Sequence, residues 1–209
     1  MSSIKLKHSG GNAVSLNPPT SAPTSSDVAF KLPTSDGSAG QVLQTDGSGN
    51  LSWVSQPTGL TAAQQFRLTA PLNVPNSYTT LTSNWAKVSG SIGSFADPAS
   101  GVFSFPLTGI YSVRFSGYFE DTGATPYGIL RIFATSDGSN YSAIATGINS
   151  NADIETYNYC GVTVEAFVDV TNTTNDKVYF AAYNDNTAAL DGNASQNRTY
   201  VTFLRLGDT

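Results

Sequence analysis

Few residues in this 209-residue chain carry groups that could do covalent or acid–base chemistry. The only histidine, His8, sits close to Lys5 and Lys7 near the start, apart from any nucleophile it could activate. The single cysteine, Cys160, cannot form a disulfide within the chain. Its neighbours Tyr159 and Val162 suggest the start of a strand, where a thiol acts as a small buried hydrophobe. The adjacent carboxylates Glu120 and Asp121 are of the type that hydrolyses glycans, but nothing in the pattern orients them as a pair. Asp and Asn gather at Asn184-Asp185-Asn186, at Asp191-Gly192-Asn193 and over Asn149–Glu155. Such oxygen-rich segments suit calcium, yet no EF-hand spacing is present, so they read first as solvated loops. No glycine-rich loop opens a helix, and no Cys/His cluster has zinc spacing. The expectation is a protein without catalytic activity, cofactor or metal site.

The rest of the composition describes a β protein. Charged residues make up 12% of the chain, about half the usual share, while aromatic residues reach 11%. Gly, Ser, Thr and Asn are abundant, which suits strands joined by tight turns. The net charge is −5. Residues 1–56 are balanced, with three Lys and three Asp, so the excess of 12 carboxylates over 7 Lys and Arg lies beyond them. No basic stripe exists to neutralise phosphates, which argues against nucleic acid. Met1 is followed by polar residues and lysines rather than an apolar run, and no segment approaches 18 apolar residues. A protein made in a cytoplasm and soluble there is expected.

Two stretches follow different rules. Residues 1–56 alternate very short apolar pieces with breakers: Ile4 and Leu6, Val14 and Leu16, then Pro18, Pro19 and Pro23, then Val28, Phe30 and Leu32. Two Asp-Gly turns, at Asp36-Gly37 and Asp46-Gly47, precede Val42-Leu43 and Leu51-Ser52-Trp53-Val54. Such short pieces cannot bury a core in one chain. A disordered linker rarely places Val, Phe, Leu and Trp beside Asp-Gly turns. The preferred reading is an extended shaft wound from several copies, or an arm that docks on a larger assembly. Residues 57–61 form a linker, and 62–209 a second domain with longer strands. Candidates are Gln65–Thr69, Tyr78–Leu81, Trp85–Val88, Phe103 with Phe105, Ile110–Glu120, Gly128–Thr135, Val162–Val170, Val178–Tyr183 and Tyr200–Leu206. A possible helical turn falls at Thr61–Gln65. Eight to ten strands with regular turn signals predict an all-β fold, a two-sheet sandwich or barrel.

The segment Ala99 to Val113, with its Phe103-Ser104-Phe105-Pro106 strand followed by Gly109-Ile110-Tyr111, resembles the signature of the jelly-roll family of complement-head and tumour-necrosis-factor-like (TNF-like) proteins. The likeness continues through Val162–Val170, the Asn175-Asp176-Lys177-Val178 turn and the closing strand Tyr200–Leu204, and covers about residues 62–208. Asn175 departs from the glycine usual at that turn. The stretch from Leu32 to Trp53 is similar to a linker recurring in bacteriophage tail-fibre and virion proteins, especially from marine phages. These resemblances imply a TNF-like jelly-roll head on an extended N-terminal segment. They also imply a homotrimer in a virion made in the host bacterial cytoplasm.

If the last strand ends beside the arm, as the jelly-roll resemblance implies, antiparallel parity places three connections at the far tip: Glu120–Pro126, Ile148–Asn158 and Asn184–Thr199. Loops on a rigid scaffold commonly carry function. Glu120, Asp121, Asn151, Asp153, Glu155, Asp185, Asn186, Asp191 and Asn193 are therefore candidate receptor contacts, for a host-surface glycan or protein. The chain has 11 Phe and 10 Tyr, more than one jelly-roll core of this size needs. Tyr111, Tyr118, Tyr179, Tyr183, Tyr200 and Phe203 are candidates for packing between subunits. The favoured function is a trimeric phage tail fibre that binds host surface components and attaches to other virion proteins through residues 1–56. The alternative is a head-decoration or cement protein clamped by the same arm. A secreted bacterial lectin is the remote third.

Overall fold

The computed structural model describes residues 4–17, 19–24, 28–56, 59–121, 127–150 and 158–209. Among them there are strands and turns but no helix, and the chain divides into two units, Met1–Thr58 and Gly59–Thr209.

The first unit holds two hairpins. Strands β1 (Ile4–Lys7) and β2 (Ala13–Leu16) pair antiparallel, with Ile4 opposite Leu16. Strands β3 (Gln41–Thr45) and β4 (Leu51–Ser55) form the other, with Leu43 opposite Trp53. The Asp46 carboxylate closes the β3–β4 turn, accepting from the backbone N–H groups of Ser48 (2.8 Å) and Asn50 (3.1 Å). Lys31 bridges to Asn50, and the Trp53 indole N–H donates to the Ser35 carbonyl at 2.9 Å. A side chain at Gly37 would collide with the Trp53 ring, so glycine there lets the indole lie flat on the backbone. These hairpins organise backbone but cover little: Ile4, Leu6, Leu16, Val28, Phe30 and Leu32 all remain exposed.

The second unit is a sandwich of two antiparallel sheets. Its strands are β5 (Ala63–Leu68), β6 (Leu72–Val74), β7 (Thr79–Thr80), β8 (Trp85–Lys87), β9 (Val102–Ser104), β10 (Gly109–Asp121), β11 (Gly128–Thr135), β12 (Ser142–Asn149), β13 (Asn158–Val170), β14 (Lys177–Asn184), β15 (Ala188–Leu190) and β16 (Tyr200–Gly207). The first sheet runs β13-β10-β16-β5-β8, with β15 and β6 continuing beside the end of β10. The second runs β12-β11-β14, with β7 and β9 both on the far side of β14. The possible turn at Thr61–Gln65 is instead the start of β5. Gln64 and Phe66 point inward there, and alternation decides against a helix.

Alternation sets the core. On β10, Tyr111, Val113, Phe115 and Phe119 face inward, and on β13 Val162, Val164, Val168 and Val170 join them. Phe103 is the hub, with ring centroids 5.1 Å from Phe66, 5.2 Å from Phe180, 5.4 Å from Trp85 and 5.5 Å from Phe203. Edge and tilted contacts of this kind add to simple area burial.

The Gly-x-Tyr motif has a mechanical basis. Gly109 has φ +135°, and a Cβ there would strike the Gly207 carbonyl and the Arg205 guanidinium. Two residues on, Tyr111 turns inward, packs at a tilt against Phe105 with centroids 4.7 Å apart and donates its hydroxyl to the Leu107 carbonyl at 3.0 Å. Glycine thus lets the turn press against the last strand, and tyrosine ties it shut from inside. The Asn175-Asp176 turn is closed by the buried Asp176 carboxylate, which accepts the N–H groups of Thr171 and Asn172, both at 2.7 Å.

Candidate interaction surfaces of the head

Strand register fixes the two ends of the sandwich. At one end, Ile110 pairs with Gly207 and Leu204 with Ala63, so the last strand finishes beside the place where the head begins. At the other end, Asp121 lies opposite Asn158, and Gly128 opposite both Asn149 and Asn184. The ends of the three connections singled out by parity therefore share one pole. Asn149 fastens two of them, donating Nδ2 to the Gly161 carbonyl (2.7 Å) and accepting the Cys160 thiol (3.2 Å) at its own carbonyl. Burial pushes that thiol's pKa up, as befits a packing residue.

The candidate receptor contacts differ in what they do. Asn151, Asp153 and Glu155 lie outside the described residues. Asp121 takes its backbone place opposite Asn158, and Glu120 is half-buried opposite Tyr159. Asp191 is buried and bound to Arg198 (2.7 Å), while its N–H donates to the Tyr118 carbonyl (2.9 Å). Burial, then the Asp191 carboxylate, raises the Tyr118 pKa, and Asp191 also raises that of Arg198. Asn193 accepts the N–H groups of Ser195 and Gln196, both at 2.9 Å, and its own N–H donates to Leu68. Asp191 and Asn193 thus hold the long 185–199 connection on the sandwich. Asp185 and Asn186 retain accessible surface, with Asn186 exposed.

The six aromatic candidates separate into three places. Tyr111 and Phe203 are fully buried in the protomer's own core, so neither has surface to offer a second copy. Their parity explains it, since Tyr111 shares a face with Phe115 and Phe203 with Val201. Tyr118 and Tyr200 stand on the outer face of the first sheet, and Tyr179 and Tyr183 on the outer face of the second.

Sequence reasoning missed the open edge of the sandwich. There β12 and β13, from opposite sheets, run side by side, with Gly147 closely packed against the Thr163 carbonyl. Phe167 is 71% exposed and Ile148 63%, with Ile144 and Tyr159 also exposed. The strand itself carries part of the signal: between Thr163 and Asp169 the outward positions of β13 are Thr163, Glu165, Phe167 and Asp169, and Phe167 alone of these is apolar. The outer face of the first sheet beside it is polar and internally bonded. Glu165 accepts Ser112 Oγ (2.6 Å) and both Nε and Nη2 of Arg114 (3.2 and 3.0 Å), which lowers its pKa. Among the described residues, no group of His, Cys, Asp and Glu is arranged to hold a metal ion. No described helix is long and apolar enough to cross a membrane.

Two facing antiparallel sheets in this order, with the last strand central in one of them, define a TNF-like jelly-roll sandwich. Among solved structures, murine APRIL at pH 8.0 superposes with TM-score 0.50 at 15% identity, over 69% of this chain and 98% of that one. The Eiger TNF of S. frugiperda does so with TM-score 0.53 at 14% identity, over 72% and 96%. The PRD1 vertex protein P5 aligns at 20% identity over 72% and 100%, with TM-score 0.48. At such identities the likeness is one of fold. No protein-family profile matches the chain, and no curated protein matches it.

Proposed function

We propose that this chain is a structural protein of a virus particle, a homotrimeric fibre of the phage tail type that holds host envelope components through its head and catalyses nothing. The observation that carries this reading is apolar surface that one copy cannot cover. In the head it is the open edge, where exposed Phe167 and Ile144 line one hollow and Ile148 stands exposed farther along β12. In the arm it is the alternating Val28, Phe30 and Leu32, with Phe30 67% and Leu32 72% exposed. Isolated exposed apolar residues need no explanation, but contiguous ones mark interfaces. The jelly-roll family that the sequence resembles is threefold, and the Leu32–Trp53 stretch resembles phage fibre linkers, which supports copies of this chain as the cover. Three heads on one particle would let weak contacts act together, because linked sites bind with an effective concentration.

Light scattering on the full chain tests the assembly, with a mass near three times 21.9 kDa expected. Phe167→Glu should lower that mass, and a monodisperse monomer for the unaltered chain would overturn the reading. Binding of labelled protein to candidate host cells then tests attachment. The alternative, a decoration or cement protein, puts the arm's apolar residues against the capsid. Rapid protease removal of residues 1–56 from the purified protein would favour it over a wound shaft.

A further inference from the structure

The outer face of the second sheet carries two aromatic groups on a short scaffold. Along β14, Tyr179 and Tyr183 point outward four residues apart, about 13 Å at the usual strand rise. Tyr183 is flanked by Tyr78, centroid distance 5.1 Å, and stacked on Tyr127 at 5.8 Å with the planes 21° apart. Tyr179 is stacked on Phe133 at 4.6 Å with the planes 8° apart. Between the groups the small Ala181 lies opposite Arg131, whose guanidinium sits 4.0 Å from the centre of the Tyr78 ring.

Polar groups surround the rings. Tyr183 donates its hydroxyl to Asn76 Oδ1 at 2.6 Å, with Asp185 Oδ1 3.2 Å away, and Asn76 Nδ2 donates to the Asp185 carbonyl at 3.0 Å. These neighbours hold the phenol protonated, with Tyr127 and burial the leading causes, and push its pKa up to about 12. Among the described residues no carboxylate pairs with Arg131, and its Nε–H finds no acceptor. An unsatisfied enclosed donor on a surface otherwise rich in hydrogen bonds calls for an explanation.

We propose that this face is a carbohydrate platform, on which pyranose rings lie against Tyr78 and Tyr183 while Asn76, Asp185 and Arg131 bond their hydroxyls. A pyranose presents a flat face of C–H bonds and a rim of hydroxyls. The platform presents the complement: rigid rings with polar groups at their edges, which bind without much loss of side-chain freedom. The head's acidic excess disfavours polyphosphate ligands. A second copy is the less suitable occupant, because the face offers rings bonded at their edges to polar groups, and its one exposed ring is Tyr78, whereas exposed Phe167 and Ile144 stand together at the β12–β13 edge. The proposal rests on the attachment reading for its biological purpose and names the ligand class for it.

Saturation-transfer difference NMR on the full chain tests the platform, with maltohexaose, an N-acetylglucosamine hexamer and a galacturonate hexamer as probes. Transfer to at least one hexamer is expected, falling at least fivefold in Tyr78→Ala and in Arg131→Gln. Ile92→Ala, an exposed change off the platform, should leave it unaltered. Absence of transfer to all three probes, or equal transfer in Tyr78→Ala, would overturn the proposal. So would a change of solution mass in Tyr78→Ala, which would make the face an interface between copies. Host cells bound equally well by wild type and Tyr78→Ala would sink the platform and leave the fibre reading intact. Sugar bound by a monomer that ignores cells would do the reverse.

Discussion

The arm and the head are written in the same alternating pattern and end in opposite states. In the head, Phe66, Phe103, Phe180 and Phe203 meet in one interior because two sheets bring them face to face. In the arm, Phe30 and Leu32 alternate as cleanly, yet among the described residues the sheets are two separate hairpins, and both side chains remain exposed. Alternation specifies which side of a strand is apolar, and a core additionally needs an opposing surface.

This contrast can be broken or sharpened experimentally, and the largest effect belongs to the hub of the head. Phe103→Ala should destabilise the head by about 3–5 kcal/mol, measured by urea unfolding, because four aromatic neighbours lose their common partner. If it cost under ~1 kcal/mol, the aromatic cluster would not be the core. Asp176→Ala should cost about 2–3 kcal/mol in the same assay by stranding the N–H groups of Thr171 and Asn172. Smaller still is the effect of acid on Glu165, whose folded pKa lies below its ordinary value. Its contribution is present above the ordinary carboxylate range and lost as pH falls through the folded value. Glu165→Gln should therefore flatten the acid side of a stability–pH profile and leave the alkaline side alone. Phe30→Ser with Leu32→Ser should move head unfolding by less than ~0.5 kcal/mol while reducing assembly, read as solution mass or as incorporation into particles. A large shift in head stability from the arm pair would erase the distinction between the two units.

The long strands of the head were legible because their residues repeat with period two over many positions. The expected strand Gly128–Thr135 has the bounds of β11, and the expected Ile110–Glu120 and Val162–Val170 differ from β10 and β13 only at their ends. Strand β12 was not read, since Ser142–Asn149 is an edge strand whose side chains are mostly exposed, leaving weak apolar contrast. Strand β15 has three residues inside a polar loop, too few to show a period. The candidate surfaces were less legible than the fold. Aromatic abundance points to Tyr111 and Phe203 as interface residues, whereas their own parity assigns them inward, and they are buried in the core. Asp191 and Asn193 looked like free loop polarity, yet each is occupied with the fold's own hydrogen bonds. The paired rings of the second sheet need the neighbouring strand before their position has meaning, and one strand does not reveal its neighbour.

Because the head begins and its last strand ends at the same pole, the chain meets the other pole only in passing from one strand to the next. Nothing enters or leaves the domain there. Doubling the length of such a loop costs only about 0.6 kcal/mol of closure entropy, and the pairing of Ala63 with Leu204 does not register the change. An exposed piece of that pole such as Asn186-Thr187 can therefore lengthen or drift while buried Leu190 and Asp191 keep their places in the head.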